Sequence, residues 1–168
     1  YILDGLNIHG DIALPEIVGA VKNFLAGGND DPDTPRMNLL LSGPPGTGKT
    51  EFVKYLGKTL SVPVVTKMGS DILSMWVGGT EKNIASAFEE AESSRAILFF
   101  DEIDGLLQNR ERAQRTWEVT QVNELLHRME NFKGVMIGAT NFLKNLDPAT
   151  ARRFTFKLVF DYLDDAGK

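Results

Sequence analysis

The stretch "LLLSGPPGTGKTEF", residues 39–52, decides the fold of this chain. An apolar run leads directly into four small or ring-locked residues, Gly43, Pro44, Pro45 and Gly46, and then into Gly-Lys-Thr. A packed core has little use for so many residues without bulky side chains. The stretch is therefore either a tight turn between a strand and a helix or a loop that wraps around a ligand.

The composition indicates one ordinary globular domain. The chain has 168 residues, of which 42% are apolar, and none of its apolar runs approaches the roughly 20 residues that a bilayer span needs. It has no cysteine and two histidines, which excludes disulfides and thiolate metal sites and argues against a zinc site. A net charge of -5 argues against a broad nucleic-acid surface. We predict a cytoplasmic protein with no membrane segment; the acidic average argues against nucleic acid as its partner but is compatible with a local basic patch.

Apolar runs bounded by turn residues recur along the chain, which is typical of buried parallel strands. Between them lie stretches in which apolar residues have helical spacing, such as Phe52, Leu56 and Leu60. This alternation predicts an α/β fold in which helices cover both faces of a five-stranded parallel sheet, with ligands beyond the carboxyl ends of the strands. The predicted strands are Met37–Leu41, Val62–Thr66, Ala96–Phe100, Val135–Ala139 and Thr155–Phe160.

We predict a single domain over residues 1–168. Residues 1–36 would form its N-terminal segment, with a turn, a helix at about Ile12–Leu25 and a loop rich in turn formers.

The octapeptide "GPPGTGKT", Gly43–Thr50, fits the phosphate-binding template G-x-x-x-x-G-K-[ST], and it stands between an apolar strand and an amphipathic helix. Backbone N–H groups and the helix N-terminus would hold phosphates, Lys49 would reach the terminal phosphates, and Thr50 would bind Mg²⁺. The alternative is a plain Gly/Pro turn. The candidate nucleotide-binding residues are Gly43, Pro44, Pro45, Gly46, Thr47, Gly48, Lys49 and Thr50.

The stretch "AILFFDEID", residues 96–104, indicates the reaction. An apolar strand ending in two carboxylates would place Asp101 where it can hold Mg²⁺ and Glu102 where it can polarise an attacking water. Asp104 is interpreted as a carboxylate at a helix start. The alternative is that Asp101 and Glu102 only solvate the end of a strand.

The stretch "IGATN", residues 137–141, has the same design, because an apolar strand ends in a hydroxyl and an amide. Asn141 would hydrogen-bond the attacking water or the γ-phosphate. Taken alone, an Asn at a strand end is more often a turn former.

With these three stretches in this order, the chain resembles the AAA ATPases over essentially its whole length. Their Walker A, Walker B and sensor 1 motifs correspond to "GPPGTGKT", "ILFFDEID" and "GATN", and "LDPATARRF" resembles their arginine-finger segment. The resemblance implies the large subdomain of a P-loop ATPase that uses ATP and Mg²⁺. It also implies a hexameric ring that remodels or threads unfolded or extended protein substrates. The helical lid and its sensor 2 residue would follow the last strand and lie outside this sequence.

The stretch "SMWVGGTEKNIASAFEEAE", residues 74–92, resembles pore loop 1 and the following helix of the katanin and spastin group. The resemblance implies that Met75, Trp76 and Val77 contact substrate, with Trp76 projecting into the channel. The alternative is that Trp76 packs under its own loop. This chain departs from the usual Gly-Glu-Ser-Glu, since it has Gly78-Gly79-Thr80-Glu81.

Two adjacent arginines, Arg152 and Arg153, precede the last predicted strand. The resemblance implies that an arginine here reaches the γ-phosphate bound to the neighbouring subunit, and which of the two does so stays open. The alternative is a solvated basic turn.

Two further segments are weaker candidates. The resemblance places "LNIHG", with Asn7, Ile8, His9 and Gly10, against adenine, although a turn with incidental packing would explain it equally well. The stretch "QNRERAQRTW", residues 108–117, resembles pore loop 2, and its local basic charge leaves acidic tails or RNA open as partners.

Other functions compete with hydrolysis of ATP. A GTPase is disfavoured because the sequence has no Asn-Lys-x-Asp, and a small-molecule kinase rarely pairs a P-loop with an Asp-Glu and a later Asn at strand ends. A scaffold that binds ATP with little turnover is the main alternative. Glu102 argues against it, because a scaffold has no need of a carboxylate that activates water.

Overall fold

The computed structural model describes residues 7–10, 14–28, 31, 33–74, 76, 78–106, 116–146 and 148–162. Within these ranges the chain alternates between strands and helices. The strands are β1 (Asn7–Gly10), β2 (Met37–Ser42), β3 (Val64–Met68), β4 (Ile97–Asp101), β5 (Val135–Thr140) and β6 (Phe156–Asp161). The α-helices are α1 (Leu14–Asn23), α2 (Lys49–Leu60), α3 (Gly69–Ile72), α4 (Gly79–Ser94), α5 (Thr116–Asn131) and α6 (Pro148–Ala151).

The strands form one sheet in the order β1-β6-β2-β5-β4-β3. Five of them are parallel, which confirms the predicted parallel sheet, and each begins within about two residues of its predicted start. The sixth strand, β1, runs antiparallel to β6 and pairs Asn7 with Asp161 and Gly10 with Leu158. Residues Asn7–Gly10 are therefore a short strand where a turn was expected, because the open edge of β6 supplies backbone partners for them.

Two apolar cores lie on opposite faces of the sheet, because successive residues of a strand point to opposite sides. Leu39 and Leu41 of β2 belong to one core and Leu40 to the other. The first core is covered by α1 and α2, and the second by α4 and α5. The predicted helical layers on both faces are thus present.

The predicted N-terminal helix is present as α1, which changes its winding at residue 24. The segment Phe24–Gly28 continues α1 as a wider π-type turn, in which Gly27 has a φ of 125°. A left-handed backbone is cheap only for glycine, so Gly27 ends the helical run. Among the described ranges, no helix has the length and apolar character needed to cross a bilayer.

The sheet places three strand ends side by side. Ser42 at the end of β2 is level with Thr140 at the end of β5, and β4 on the far side of β5 ends at Asp101. Residues that follow these strands therefore meet at the carboxyl edge of the sheet, where ligands of open α/β sheets bind.

Candidate functional site

The loop between β2 and α2 depends on glycine geometry. Gly43, Gly46 and Gly48 have φ values of 148°, 78° and 94°, a region that residues with a Cβ rarely adopt. The N–H of Gly43 donates to the carbonyl of Thr140 at 3.1 Å, and a Cβ on Gly43 would lie 2.1 Å from the Phe160 carbonyl oxygen. The loop therefore lies directly against the ends of β5 and β6.

Lys49 is the first residue of α2, and its side chain points back over this loop. Although it is a lysine, it is only 7% exposed. Its Nζ donates to the carbonyl oxygens of Gly43 at 2.6 Å and Pro44 at 2.9 Å. An ammonium group has three protons, so one remains for a ligand. The hydroxyl of Thr47 also donates to the Pro44 carbonyl, at 2.7 Å, and closes the turn.

The electrostatic environment of Lys49 is set by burial and by nearby carboxylates. Burial lowers the pKa of Lys49, and the charges of Asp101 and Asp104 oppose that shift. The ammonium thus lies between a poorly solvated loop and two carboxylates. A phosphate oxygen placed at its third proton would accept the hydrogen bond that the two loop carbonyls leave open.

Glu102 follows the last residue of β4 in an unusual conformation. Its φ is 51° and its ψ is 51°, which is left-handed for a residue with a side chain, and its N–H donates to Asp101 Oδ1 at 2.9 Å. The facing backbone is Gly69, where a Cβ would lie 2.1 Å from the Glu102 carbonyl oxygen. The turn therefore needs a glycine at position 69. Sequence reasoning missed this residue, which lies three residues after the predicted strand Val62–Thr66 and directly after the observed strand β3.

The loop between β2 and α2 and the residues at the ends of β4 and β5 line one cleft of about 370 Å³. It gathers the loop residues, the carboxylates that end β4 and the amide that follows β5, although they are far apart in the sequence. Gly43 and Pro44 do not line it, but their carbonyls accept hydrogen bonds from Lys49. The lining residues are Pro45, Gly46, Thr47, Gly48, Lys49, Thr50, Glu51, Asp101, Glu102 and Asn141.

The oxygen groups of this cleft fit a Mg²⁺ ion. Thr50 offers a hydroxyl and Asp101 a carboxylate, and Mg²⁺ prefers such ligands together with phosphate and water oxygens. In the part of the chain that the structure describes, no group of three or more His, Cys, Asp or Glu side chains could hold a metal ion. An ion in this cleft would therefore depend on the bound phosphates for part of its coordination.

Trp76 lies outside this cleft, on the turn before α4, and it is 77% exposed. The side chain of Trp76 is therefore not packed beneath its own loop. The N–H of Trp76 donates to Ser74 Oγ at 3.2 Å, and its carbonyl accepts from Gly79 at 3.0 Å. The buried hydroxyl of Thr80 accepts from the Ser74 N–H at 2.9 Å. A hydrogen-bonded turn thus presents the indole to solvent.

The departure from Gly-Glu-Ser-Glu has a local explanation. A Cβ on Gly79 would lie 2.3 Å from Ser74 Oγ, so the glycine permits the close turn around Ser74.

Met75 and Val77, the other two predicted substrate contacts, lie outside the described residues, as does the basic stretch at residues 107–115. The structure describes only the backbone of Asn7–Gly10, so contact of Asn7, Ile8, His9 and Gly10 with adenine stays a prediction.

Arg152 and Arg153 follow α6 and do not line the cleft of their own chain. Both are exposed. Arg153 forms an ion pair with Glu130 in the last turn of α5, a contact that sequence reasoning missed because the two residues are distant in the chain.

Comparison with known proteins places this geometry in a family. Residues 39–162 match the ATPase family associated with various cellular activities (AAA). The chain belongs to the AAA family. The matched residues cover the cleft described above and the five parallel strands, apart from the first two residues of β2.

Several curated proteins are similar to this chain. "ATPase with bromodomain protein abo2" of Schizosaccharomyces pombe is 39% identical over 137 residues, which are 76% of this chain and 11% of that protein. "ATPase histone chaperone YTA7" of Saccharomyces cerevisiae is 38% identical over 76% of this chain and 10% of its own length. "Peroxisomal ATPase pex6" of Schizosaccharomyces pombe is 40% identical over 75% of this chain and 14% of its own length. The chain thus spans only about a tenth of the relatives it matches.

Proposed function

We propose that this AAA chain binds ATP with Mg²⁺ and hydrolyses it, and that the whole protein uses the reaction, in a ring of subunits, to remodel or thread extended protein substrates. The observation that carries the proposal is the single cleft that holds Lys49, Asp101, Glu102 and Asn141 together. It combines a phosphate cradle with a carboxylate that can activate water.

Binding of the triphosphate would rely on Lys49 and on the first turn of α2. The two carbonyl contacts of Lys49 fix the direction of its remaining proton, so the charge is already oriented before ATP binds. The N-terminus of the 12-residue α2 adds backbone N–H groups and a partial positive charge. A phosphate in the cleft therefore has both a side-chain and a backbone donor.

Hydrolysis would rely on residues at the ends of β4 and β5. Thr50 and Asp101 would hold Mg²⁺, which offsets charge on the phosphates. Glu102 would accept a proton from the attacking water, and Asn141 would hydrogen-bond that water or the γ-phosphate. The backbone N–H of Glu102 donates to Asp101 Oδ1, so the turn that carries Glu102 also orients the Asp101 carboxylate.

Work on a protein substrate would rely on Trp76. An exposed indole on a hydrogen-bonded turn can hold an extended peptide by apolar contact, without reading its sequence. Met75 and Val77 would flank it. The names of the relatives include a histone chaperone and a peroxisomal ATPase, so the substrate and the cytoplasmic location remain predictions from sequence.

The main alternative is an assembly module that binds ATP without turning it over. Arg152 and Arg153 favour hydrolysis, because arginines supplied to a neighbouring cleft offset charge that develops only in the transition state. A hexameric ring would bring the two arginines of each subunit to the cleft of the next subunit. We therefore place the complete catalytic site at the boundary between two copies of this chain.

A mixing experiment in the full-length protein tests this boundary site. Changing both Arg152 and Arg153 to Ala should leave ATP binding intact but lower turnover by on the order of 10³-fold. The Glu102→Gln protein should also be nearly inactive. Mixed rings should recover activity, because a subunit with an intact Glu102 can receive arginines from its Glu102→Gln neighbour.

The control mixes two kinds of subunit: one carries Glu102→Gln together with both arginine changes, and the other carries Glu102→Gln alone. This mixture has no intact Glu102, so it should stay inactive. ATP turnover and co-assembly, by native mass spectrometry, are measured on the same samples. Mixed rings that assemble but stay inactive would reject the boundary site. Normal turnover by the double arginine variant would show that these residues are only a solvated turn.

A further inference from the structure

The backbone that follows β4 comes unusually close to the start of α3. Met68 ends β3 and is paired in the sheet with Asp101 at the end of β4. The next residues of the two strands, Gly69 and Glu102, therefore lie side by side. A Cβ on Gly69 would be 2.1 Å from the Glu102 carbonyl oxygen and 3.1 Å from its carbonyl carbon. An added methyl group would have to move the turn that carries Glu102, because backbone atoms cannot rotate away as a side chain can.

The need for glycine at position 69 comes from this close approach and not from the conformation of Gly69 itself. Gly69 is the buried first residue of α3, and its φ is not positive. An alanine would therefore fit the local backbone without strain. Its Cβ would lie 3.5 Å from the Asp101 carbonyl oxygen, which is an ordinary contact distance. The conflict is thus with the backbone of Glu102, and Asp101 is little affected.

The turn that carries Glu102 is held at three points. The N–H of Glu102 donates to Asp101 Oδ1 at 2.9 Å, and the next residue, Ile103, is fully buried. The third point is the contact of the Glu102 carbonyl with Gly69. Because φ and ψ of Glu102 are both 51°, its side chain leaves the backbone in a direction that a right-handed residue would not have. A shift of this turn would therefore redirect the carboxylate.

We propose that Gly69 is a positioning residue for hydrolysis, because the space that it leaves for the Glu102 carbonyl sets the orientation of the Glu102 carboxylate. The inference rests on the proposed function, in which Glu102 accepts a proton from the attacking water. A base must lie within hydrogen-bond reach of the proton that it takes, and a misplacement of about 1 Å can cost on the order of 10²-fold in rate. Gly69 does not line the cleft, so it acts through Glu102.

The test is a double-mutant cycle in the full-length protein. Single-turnover hydrolysis, ATP affinity and melting temperature are measured for each variant. Gly69→Ala should lower the rate of hydrolysis by on the order of 10²-fold and leave ATP affinity within about twofold of the parent. In the Glu102→Gln background, Gly69→Ala should cause no further loss of rate, because the base through which it acts is already absent. A change that only loosened the fold would lower both rates by the same factor.

Gly57 provides the matched control for crowding. It lies in the last turn of α2 and does not line the cleft, and a Cβ there would be 2.7 Å from Val64 Cγ2. Gly57→Ala crowds the fold without contact with the Glu102 turn. Its rate of hydrolysis should therefore stay within about twofold of the parent, even if its melting temperature falls.

A second variant tests the same contact if Gly69→Ala does not fold. Ile72 is buried in the core that also contains Ile103, so it holds α3 against the turn after β4. Ile72→Val removes one methyl group and forces no clash. It should lower the rate of hydrolysis by a few-fold in the parent and leave the rate unchanged in the Glu102→Gln background.

Different outcomes would overturn different claims. A near-parental rate in folded Gly69→Ala, or an equal loss in both backgrounds for either variant, would show that Gly69 has only a packing role. A large loss of ATP affinity in Gly69→Ala would show that residue 69 affects the nucleotide directly, which also contradicts the inference. A near-parental rate in Glu102→Gln alone would instead reject the proposed function.

Discussion

At Gly43, a hydrogen in place of a side chain lets the phosphate-binding loop lie against β6. The Phe160 carbonyl oxygen occupies the space that a Cβ would need, and the φ of 148° is unfavourable for any other residue. Both constraints come from backbone atoms, which cannot rotate away as a side chain can. The position of Lys49 depends on this contact, because Lys49 donates to the Gly43 carbonyl.

We therefore expect Gly43→Ala to destabilise the protein by about 2 kcal/mol or more and to weaken ATP binding. Gly19→Ala is the matched control, since a Cβ there meets nothing within 4 Å and Gly19 lies inside α1. That change should stabilise the protein by about 0.5–1 kcal/mol. Denaturant titrations measure both. Equal stability of the two variants would contradict the proposed close contact.

Single residues of the candidate site differ in how well sequence reasoning could place them. Lys49, Asp101 and Asn141 were predictable, because each has a fixed place after a strand or in a motif. The left-handed backbone of Glu102 and its need for Gly69 were not, since both arise from contact between two turns. The pairing of Arg153 with Glu130 depends on how α5 packs, and that packing could not be predicted from the sequence.

At the scale of elements, the five parallel strands were predictable because strands buried on both faces are continuous apolar runs. The antiparallel strand β1 was not, since "NIHG" has no apolar periodicity and gains its conformation from the free edge of β6. The turn at Trp76 was identified by resemblance. Its hydrogen bonds through Ser74 and Thr80 were found only in the structure.

Trp76→Ala in the full-length protein should leave basal ATPase activity largely intact and abolish its stimulation by an unfolded protein substrate. The indole is exposed and lies outside the nucleotide cleft, so its loss should not change phosphate chemistry. Trp76→Phe, which keeps an apolar ring, should retain most of the stimulation. Normal substrate processing by Trp76→Ala, with a large drop in melting temperature, would show a packing role instead.

At the scale of the whole molecule, the chain presents a cleft and a pair of arginines that do not meet in one subunit. The cleft lies at the carboxyl edge of the sheet, whereas the arginines follow α6 just before β6. This separation is what a reaction shared between neighbouring subunits requires. Activity should therefore rise more than linearly with protein concentration as rings form.

We propose that this cleft hydrolyses ATP with Glu102 as the base. The most direct measurement is single-turnover hydrolysis of ATP by the full-length Glu102→Gln protein, with ATP affinity measured by calorimetry on the same sample. The control is Glu89→Gln, an equal change of charge on the exposed side of α4. We predict that Glu102→Gln binds ATP as tightly as the parent but hydrolyses it at least about 10²-fold more slowly, while Glu89→Gln behaves like the parent. Hydrolysis by Glu102→Gln at near the parental rate would contradict the claim.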